Sequence, residues 1–191
     1  LADLFISGRF NGADIISAVS IGSQIMHMLT VVIVGLSMGS TVIIGRAAGA
    51  KEEKTVSKAV GNTAAIFIIF SILLTVILNL SVNGIVKIMS TPSEAVAQTK
   101  LYLSICFLGI PFITAYNIIS SVYRGIGDSK SPMYFIIVSC VLNIVLDYVF
   151  IGGLGLKAAG AALGTVLSQT VSVIFALIYT KKKDVGIHLT K

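Results

Sequence analysis

The stretch "NIVLDYVFIGGLGLKAAGAALGTVLSQ", residues 143–169, contains one carboxylate in strongly apolar surroundings. Between Ser131 and Leu156 the chain has no Lys, Arg, Glu or His, and Asp147 is the only charged residue. A run of this length and apolarity predicts a helix that crosses the lipid bilayer. Asn143 precedes Asp147 by one helical turn, so both side chains are expected on the same face of that helix. The stretch therefore predicts a membrane helix with a polar site inside it.

The composition of the whole chain supports a membrane location. Hydrophobic residues make up 55% of the chain and charged residues 12%, against about 45–50% and about 25% in soluble domains. The net charge is +6, but the basic residues lie between apolar runs, which is typical of membrane orientation signals and not of a nucleic-acid interface. Cys106 and Cys140 lie inside apolar runs without metal-ligand spacing. We expect a multi-pass protein of the cytoplasmic membrane, with lipid as a partner, no nucleic acid and no cofactor.

Long charge-poor runs define the predicted fold class. Five of them exceed the roughly 20 residues that cross a bilayer, and they are Ile15–Gly45, Ala59–Val86, Leu101–Tyr123, Ser131–Leu156 and Ala158–Thr180. A shorter segment before Gly8 adds the end of a further helix, which we expect to be truncated. Pro111 lies inside the fourth helix and predicts a kink there. The sequence thus predicts an all-α transmembrane bundle of six helices, the first one truncated.

The distribution of Lys and Arg predicts the orientation of this bundle. Segments that follow the second, fourth and sixth helices contain ten basic residues, namely Arg46, Lys51, Lys54, Lys58, Arg124, Lys130, Lys181, Lys182, Lys183 and Lys191. The other side contains four, namely Arg9, Lys87, Lys100 and Lys157. Because basic residues concentrate in cytoplasmic loops, the first group is predicted to face the cytoplasm.

The position of Asp147 points to chemistry with a proton or a cation. A carboxylate in hydrocarbon must be protonated, paired or directed into a water-filled cavity. The fifth helix contains no Lys or Arg to neutralise it. Asp147 beside Asn143 suits proton exchange or the binding of a hard cation through oxygen ligands. The alternative is a purely structural role, in which the carboxyl hydrogen-bonds between helices.

Three further polar residues are weaker candidates on sequence alone. Asp3 lies in the first helix and is either a site residue or an ordinary residue of a helix end. Thr165 lies beside Gly160 and Gly164, a small-residue face suited to close helix packing, and it either binds an ion or hydrogen-bonds within its own helix. His27 in the second helix is better explained as a packed polar group than as a ligand.

The motif "GIGD", Gly125–Asp128, resembles the signature of intramembrane aspartyl proteases. That chemistry requires two carboxylates that share a proton inside the membrane. Asp128 is followed by "SKSP", which predicts a polar turn at a helix start, and its candidate partner Asp147 comes after the motif, whereas that family has it before. Proteolysis is therefore the less favoured alternative, and we do not expect an enzyme.

Three stretches of the chain resemble the MATE (multidrug and toxic compound extrusion) family, and they are most similar to its prokaryotic DinF-like branch. These stretches are "ADLFISGRFNGADIISAVSIG" (Ala2–Gly22), "YRGIGDSKSPM" (Tyr123–Met133) and residues 143–169. The third is the most specific, because the Asn, the Asp, the glycine run and the Ala/Gly-rich helix follow in the family's order. The resemblance implies that residues 1–191 are the N-terminal six-helix bundle, and that the C-terminal bundle is missing.

The resemblance also implies a function and a set of site residues. In that branch a cation site in the N-terminal bundle is built from residues that match Asp3, Asn143, Asp147 and Thr165. The implied protein is an antiporter, coupled to sodium or protons, which exports lipophilic and often cationic compounds by alternating access. A lipid-linked precursor flippase of the same architecture is the alternative, but it is expected to have clustered Arg or Lys inside its helices.

Overall fold

The structure, a computed structural model, describes residues 2–183, and its regular structure there is helical throughout. In chain order the elements are α1 (Ala2–Phe10), α2 (Ala13–Gly49), α3 (Glu53–Ile88), α4 (Val96–Leu108), α5 (Ile110–Gly125), α6 (Lys130–Asp147), a π-helix (Tyr148–Gly153) and α7 (Lys157–Lys183). The predicted all-α bundle is confirmed. Two predicted helices are subdivided, since the fourth consists of α4 and α5 and the fifth ends in the π-helix.

Four helical segments within the described residues are each long and apolar enough to cross a membrane, namely α2, α3, α7 and the continuous segment Lys130–Gly153. The bent pair α4 and α5 meets the same criterion when its two helices are taken together. α1 has nine residues, a length of about 14 Å, which is shorter than the roughly 30 Å hydrocarbon core. Large apolar side chains cover the outside, and Leu80 and Ile77 are 80% and 57% exposed. Lipid solvates such a surface, so the protein is a multi-pass membrane protein.

The predicted kink at Pro111 is confirmed, because α4 and α5 meet at an angle of 46°. Pro111 has no N–H to donate to the carbonyl of Phe107, four residues earlier. The Thr75 hydroxyl of α3 donates to that carbonyl at 3.1 Å instead. A hydroxyl from a neighbouring helix thus satisfies the backbone acceptor that the proline leaves open, as a break inside a membrane requires.

The helices α2, α5 and α7 end together at one end of the bundle. A Cβ on Gly45 would lie 3.3 Å from the carbonyl oxygen of Gly125, so α2 and α5 touch there. The hydroxyls of Tyr123 and Thr180 are 2.9 Å apart, which places the end of α7 beside them. We call this the basic end, because it carries Arg46, Arg124, Lys181 and Lys182.

The opposite end contains the contact between α1 and the π-helix. The ring of Phe10, the last residue of α1, lies 3.1–3.5 Å from the position that a Cβ on Gly152 would take. Arg9 and Lys157 lie at this end, where α1 stops and α7 begins. Thr165 follows Lys157 by eight residues, a rise of about 12 Å. The polar residues predicted from the sequence are therefore nearer to this end than to the basic end.

Candidate cation site

Asp147 is the last residue of α6 and is fully buried, at 0% exposure. Neither carboxyl oxygen has a hydrogen-bond partner among the residues that the structure describes. Asp147 is also the one charged side chain in the buried set of that part of the chain. A buried carboxylate with neither a donor nor a countercharge is unfavourable, so the group requires a proton or a bound cation.

The second carboxylate of the site is Asp3 on α1. It is partly buried, and its charge repels that of Asp147 across a short distance. Two deprotonated carboxylates accept hydrogen bonds but donate none. Asp3 therefore cannot satisfy the Asp147 oxygens while both groups are ionised. The pair is relieved when it shares a proton or encloses a cation.

Asn143 and Thr165 connect the two carboxylates. The Thr165 hydroxyl lies 3.4 Å from Asp3 Oδ2, and Asn143 Nδ2 lies 3.5 Å from Thr165 Oγ1. When the Asn143 amide is turned over, its nitrogen donates to Asp3 Oδ1 at 3.0 Å and its oxygen accepts from the Thr165 backbone N–H at 3.3 Å. The turned orientation satisfies both ends of the amide. The structure thus brings all four sequence-predicted residues together, from α1, α6 and α7.

The π-helix begins directly after Asp147 and was not predicted from the sequence. π-helical turns, with hydrogen bonds from residue i to i+5, are rare and frequently occur at functional sites. Here the π-helix packs against α1, with the rings of Phe10 and Tyr148 meeting edge to face at 6.3 Å. Gly152 and Gly153, which close the π-helix, were the available sequence signal.

Tyr102 on α4 is a further residue near the site that sequence reasoning missed. It is 2% exposed, and it lies within electrostatic reach of Asp3 and Asp147. A tyrosine inside an apolar run carries no sequence signal that it lies near the two carboxylates. Only the packing of α4 against the other helices brings Tyr102 close to them.

Two other sequence candidates lie outside this cluster. His27 is not packed as expected but is exposed on α2, in a shallow groove with Gln24 and Met28. Asp128 accepts hydrogen bonds from the backbone N–H groups of Lys130 and Ser131 at 3.1 Å each, at the start of α6. Asp147 ends that helix, about 25 Å away along its axis, so the two carboxylates cannot share a proton.

The oxygen donors of the site suit a hard cation or a proton. Carboxylate, amide and hydroxyl oxygens are the ligands that hard cations prefer. Within residues 2–183 no three His, Cys, Asp or Glu side chains cluster as a transition-metal site would require. Lys and Arg are absent from the buried side chains of the same residues, so the basic cluster expected of a precursor flippase is not found there.

Fold and site together define a polytopic helical membrane protein with a carboxylate pair enclosed in its bundle. The MatE family model matches residues 1–149 of the chain. The chain therefore belongs to the MATE family, whose members are transporters and not enzymes.

Curated relatives agree with this membership. The probable multidrug resistance protein YoeA of Bacillus subtilis (strain 168) is 33% identical over 187 residues, which cover 96% of this chain and 40% of the relative. The multidrug export protein MepA of Staphylococcus aureus (strain NCTC 8325 / PS 47) is 30% identical over 185 residues, with 96% and 41% covered. The chain spans about two fifths of the length of these relatives.

Solved structures with the same fold include a multidrug resistance MATE family transporter of the MOP superfamily in two conformations. The inward-facing structure matches with a TM-score of 0.91 and 25% identity, covering 99% of this chain and 43% of that one. The outward-facing structure gives the same TM-score and identity, with 99% and 42% covered.

Proposed function

We propose that the chain is the N-terminal six-helix bundle of a cation-coupled antiporter, which exports lipophilic and often cationic compounds across the cytoplasmic membrane. The observation that carries this proposal is the fully buried, unsatisfied Asp147 carboxyl beside Asp3. Purely structural polar groups inside membranes hydrogen-bond to complementary groups on neighbouring helices, whereas the group that faces Asp147 from α1 is a second carboxylate, Asp3. The relatives are named as multidrug resistance and multidrug export proteins, which supports the export direction and the substrate class.

The coupling step is a change in the charge of the Asp3–Asp147 pair. With both groups deprotonated the pair carries two negative charges in a poorly solvated site, which favours any conformation that admits water or a cation. Binding of sodium or a proton lowers that charge and makes the closed, dry packing favourable. The cation thereby shifts the population between the two facings of the transporter. The cationic compound is exported as the transporter returns to its other facing.

The membrane potential drives this exchange through the net charge that crosses the membrane, so the exchange of one coupling cation for one singly charged compound is driven by the ion concentration gradient alone. When the entering cations carry one more charge than the exported compound, the net charge that moves inward gains about 2.3 kcal/mol per 100 mV. Full coupling to one charge at that potential corresponds to about fiftyfold accumulation of the exported compound, since about 1.4 kcal/mol is a factor of ten.

Alternating access requires the bundle to move against a partner, which we propose is the C-terminal bundle of the same protein. Two facts support this arrangement. The chain spans about two fifths of its relatives, and its fold matches the inward-facing and outward-facing structures equally well. A bundle with the same internal fold in both states is suited to rigid-body motion.

The proposal is tested by the substitution Asp147→Asn in the whole protein, with efflux of an ethidium-type dye from intact cells as the readout. Asparagine keeps the shape of the side chain but cannot exchange a charge, so we expect cation-dependent efflux to disappear. Asp14→Asn is the matched control, because Asp14 is exposed at the start of α2 and its loss should leave efflux at the wild-type rate.

Efflux is to be measured with and without sodium, and at two external pH values, so that the coupling ion is identified by its gradient. Normal cation-dependent efflux by Asp147→Asn would show that the charge of Asp147 is not needed for coupling, and the proposed mechanism would fail.

A further inference from the structure

Gly164 of α7 lies directly against the carboxyl of Asp147. A Cβ built on Gly164 would overlap Asp147 Oδ1 and would stand 3.6 Å from Asn143 Nδ2. The carboxyl therefore occupies the volume that any side chain at position 164 would take. The nearest atom is the tip of a short side chain and not backbone, so an added methyl group would move the carboxyl before it disturbed the helices.

A second observation makes this contact more than close helix packing. Both oxygens of the fully buried Asp147 lack a hydrogen-bond partner within the described residues. No donor group anchors the carboxyl while both it and Asp3 are ionised, so its position depends on the space around it. Gly164 supplies that space on the α7 side, immediately before the Thr165 hydroxyl that contacts Asp3.

We infer that Gly164 is a positioning residue of the cation site, which holds the Asp147 carboxyl against α7 and within reach of Asp3, Asn143 and Thr165. This inference rests on the proposed function. A methyl group at position 164 would displace the Asp147 carboxyl, which is a ligand of the coupling ion. The affinity for that ion should therefore fall when Gly164 is replaced by any residue with a side chain.

Gly160 provides a matched control on the same face of α7, one turn earlier. A Cβ on Gly160 would lie 3.1 Å from the carbonyl carbon of Phe150 and 3.1 Å from Ile151 Cγ1. These contacts are tight but belong to the π-helix, and the Asp147 carboxyl is not among them. Gly160→Ala therefore perturbs the packing of α7 without occupying the site.

The first experiment measures the cation-dependent rise in thermal unfolding temperature of the whole purified protein in detergent. Sodium is titrated against choline at fixed pH, and pH is titrated without sodium. We expect Gly164→Ala to raise the half-saturating sodium concentration about 10–100-fold, the usual cost of losing a group that orients a metal ligand, or to move the pH midpoint by a comparable factor in proton concentration. Gly160→Ala should keep the wild-type midpoints.

Each outcome separates the inference from the function on which it rests. If the wild-type protein responds to neither sodium nor pH, or responds as Asp147→Asn does, the proposed function fails. If the wild type responds and Gly164→Ala has the same midpoint, or if Gly160→Ala shifts it equally, the positioning role of Gly164 is overturned.

A second measurement covers the case in which Gly164→Ala is poorly stable. Gly164→Ala is introduced into the wild type and into Asp147→Ala, and the four unfolding temperatures form a double-mutant cycle. Removal of the carboxyl frees the volume for the methyl group, so the loss of unfolding temperature should be much smaller in the Asp147→Ala background. An equal loss in both backgrounds would place the clash elsewhere and contradict the inference.

Discussion

Thr165 illustrates how one hydroxyl can choose between two hydrogen-bond acceptors at the proposed cation site. Its single hydrogen points either to the carbonyl of Ala161, 3.0 Å away in the same helix, or to Asp3 Oδ2 at 3.4 Å. The longer contact is weaker. When a cation occupies the site, the Thr165 hydroxyl can keep donating its hydrogen bond to the Ala161 carbonyl. A lone pair of the Thr165 oxygen is then free to act as a ligand.

This residue-scale argument predicts the effect of Thr165→Val. Valine has nearly the same shape but no oxygen, so we expect the half-saturating concentration of the coupling ion to rise about tenfold. Thr170→Val is the control, because the Thr170 hydroxyl donates to the Val166 carbonyl of the same helix. Sodium-dependent and pH-dependent dye efflux measures both. Unchanged coupling in Thr165→Val would restrict Thr165 to helix packing.

At the scale of elements, the approach of α2 to α4 determines where Tyr102 lies. The ring of Tyr102 fills the place of a side chain at Gly22, with Cε1 2.6 Å and Cγ 3.1 Å from a Cβ built there. A glycine on one helix therefore accommodates an aromatic ring on the next, as in other tight membrane helix pairs.

We predict that Gly22→Ala destabilises the protein by about 1–3 kcal/mol, the typical cost of overpacking a core. Gly35→Ala tests the same substitution in the same helix where nothing lies within 4 Å of the added Cβ. It should be neutral or stabilise by up to about 1 kcal/mol. Unfolding in detergent compares the two variants. Equal stabilities would contradict the close α2–α4 contact.

For the whole molecule, the two ends of the bundle differ in charge. The basic end brings together the ends of α2, α5 and α7, and Lys54 in the first turn of α3 lies on the same side. Lys87, in the last turn of α3, lies on the other side because α3 crosses the membrane once between them. Lys191, which was also predicted from the sequence to face the cytoplasm, lies outside the described residues. By the bias of basic residues toward the cytoplasm, the basic end is predicted to face inward.

Cysteine labelling tests this topology. In a background without Cys106 and Cys140, Lys54→Cys should react with a membrane-impermeant thiol reagent only after the cells are opened, and Lys87→Cys should react in intact cells. Both lysines are exposed, so reactivity reports the side of the membrane. Labelling of position 54 in intact cells would reverse the orientation.

The sequence by itself determined the all-helical membrane class, the kink at Pro111 and the placement of Asn143 and Asp147 one turn apart on the same helix. These features are local, because hydropathy, proline geometry and the helical repeat act within one segment. The approach of Asp3 and Thr165 to that pair was predicted only through the family resemblance, since they lie on other helices.

Tertiary structure alone decided which surfaces of different helices meet. The contact of Gly164 with the Asp147 carboxyl, the fit of Tyr102 against Gly22 and the π-helix after Asp147 all depend on helix rotation and tilt. These are set by side-chain packing between helices and not by the apolarity of each helix, because lipid solvates every apolar face of a membrane helix equally well.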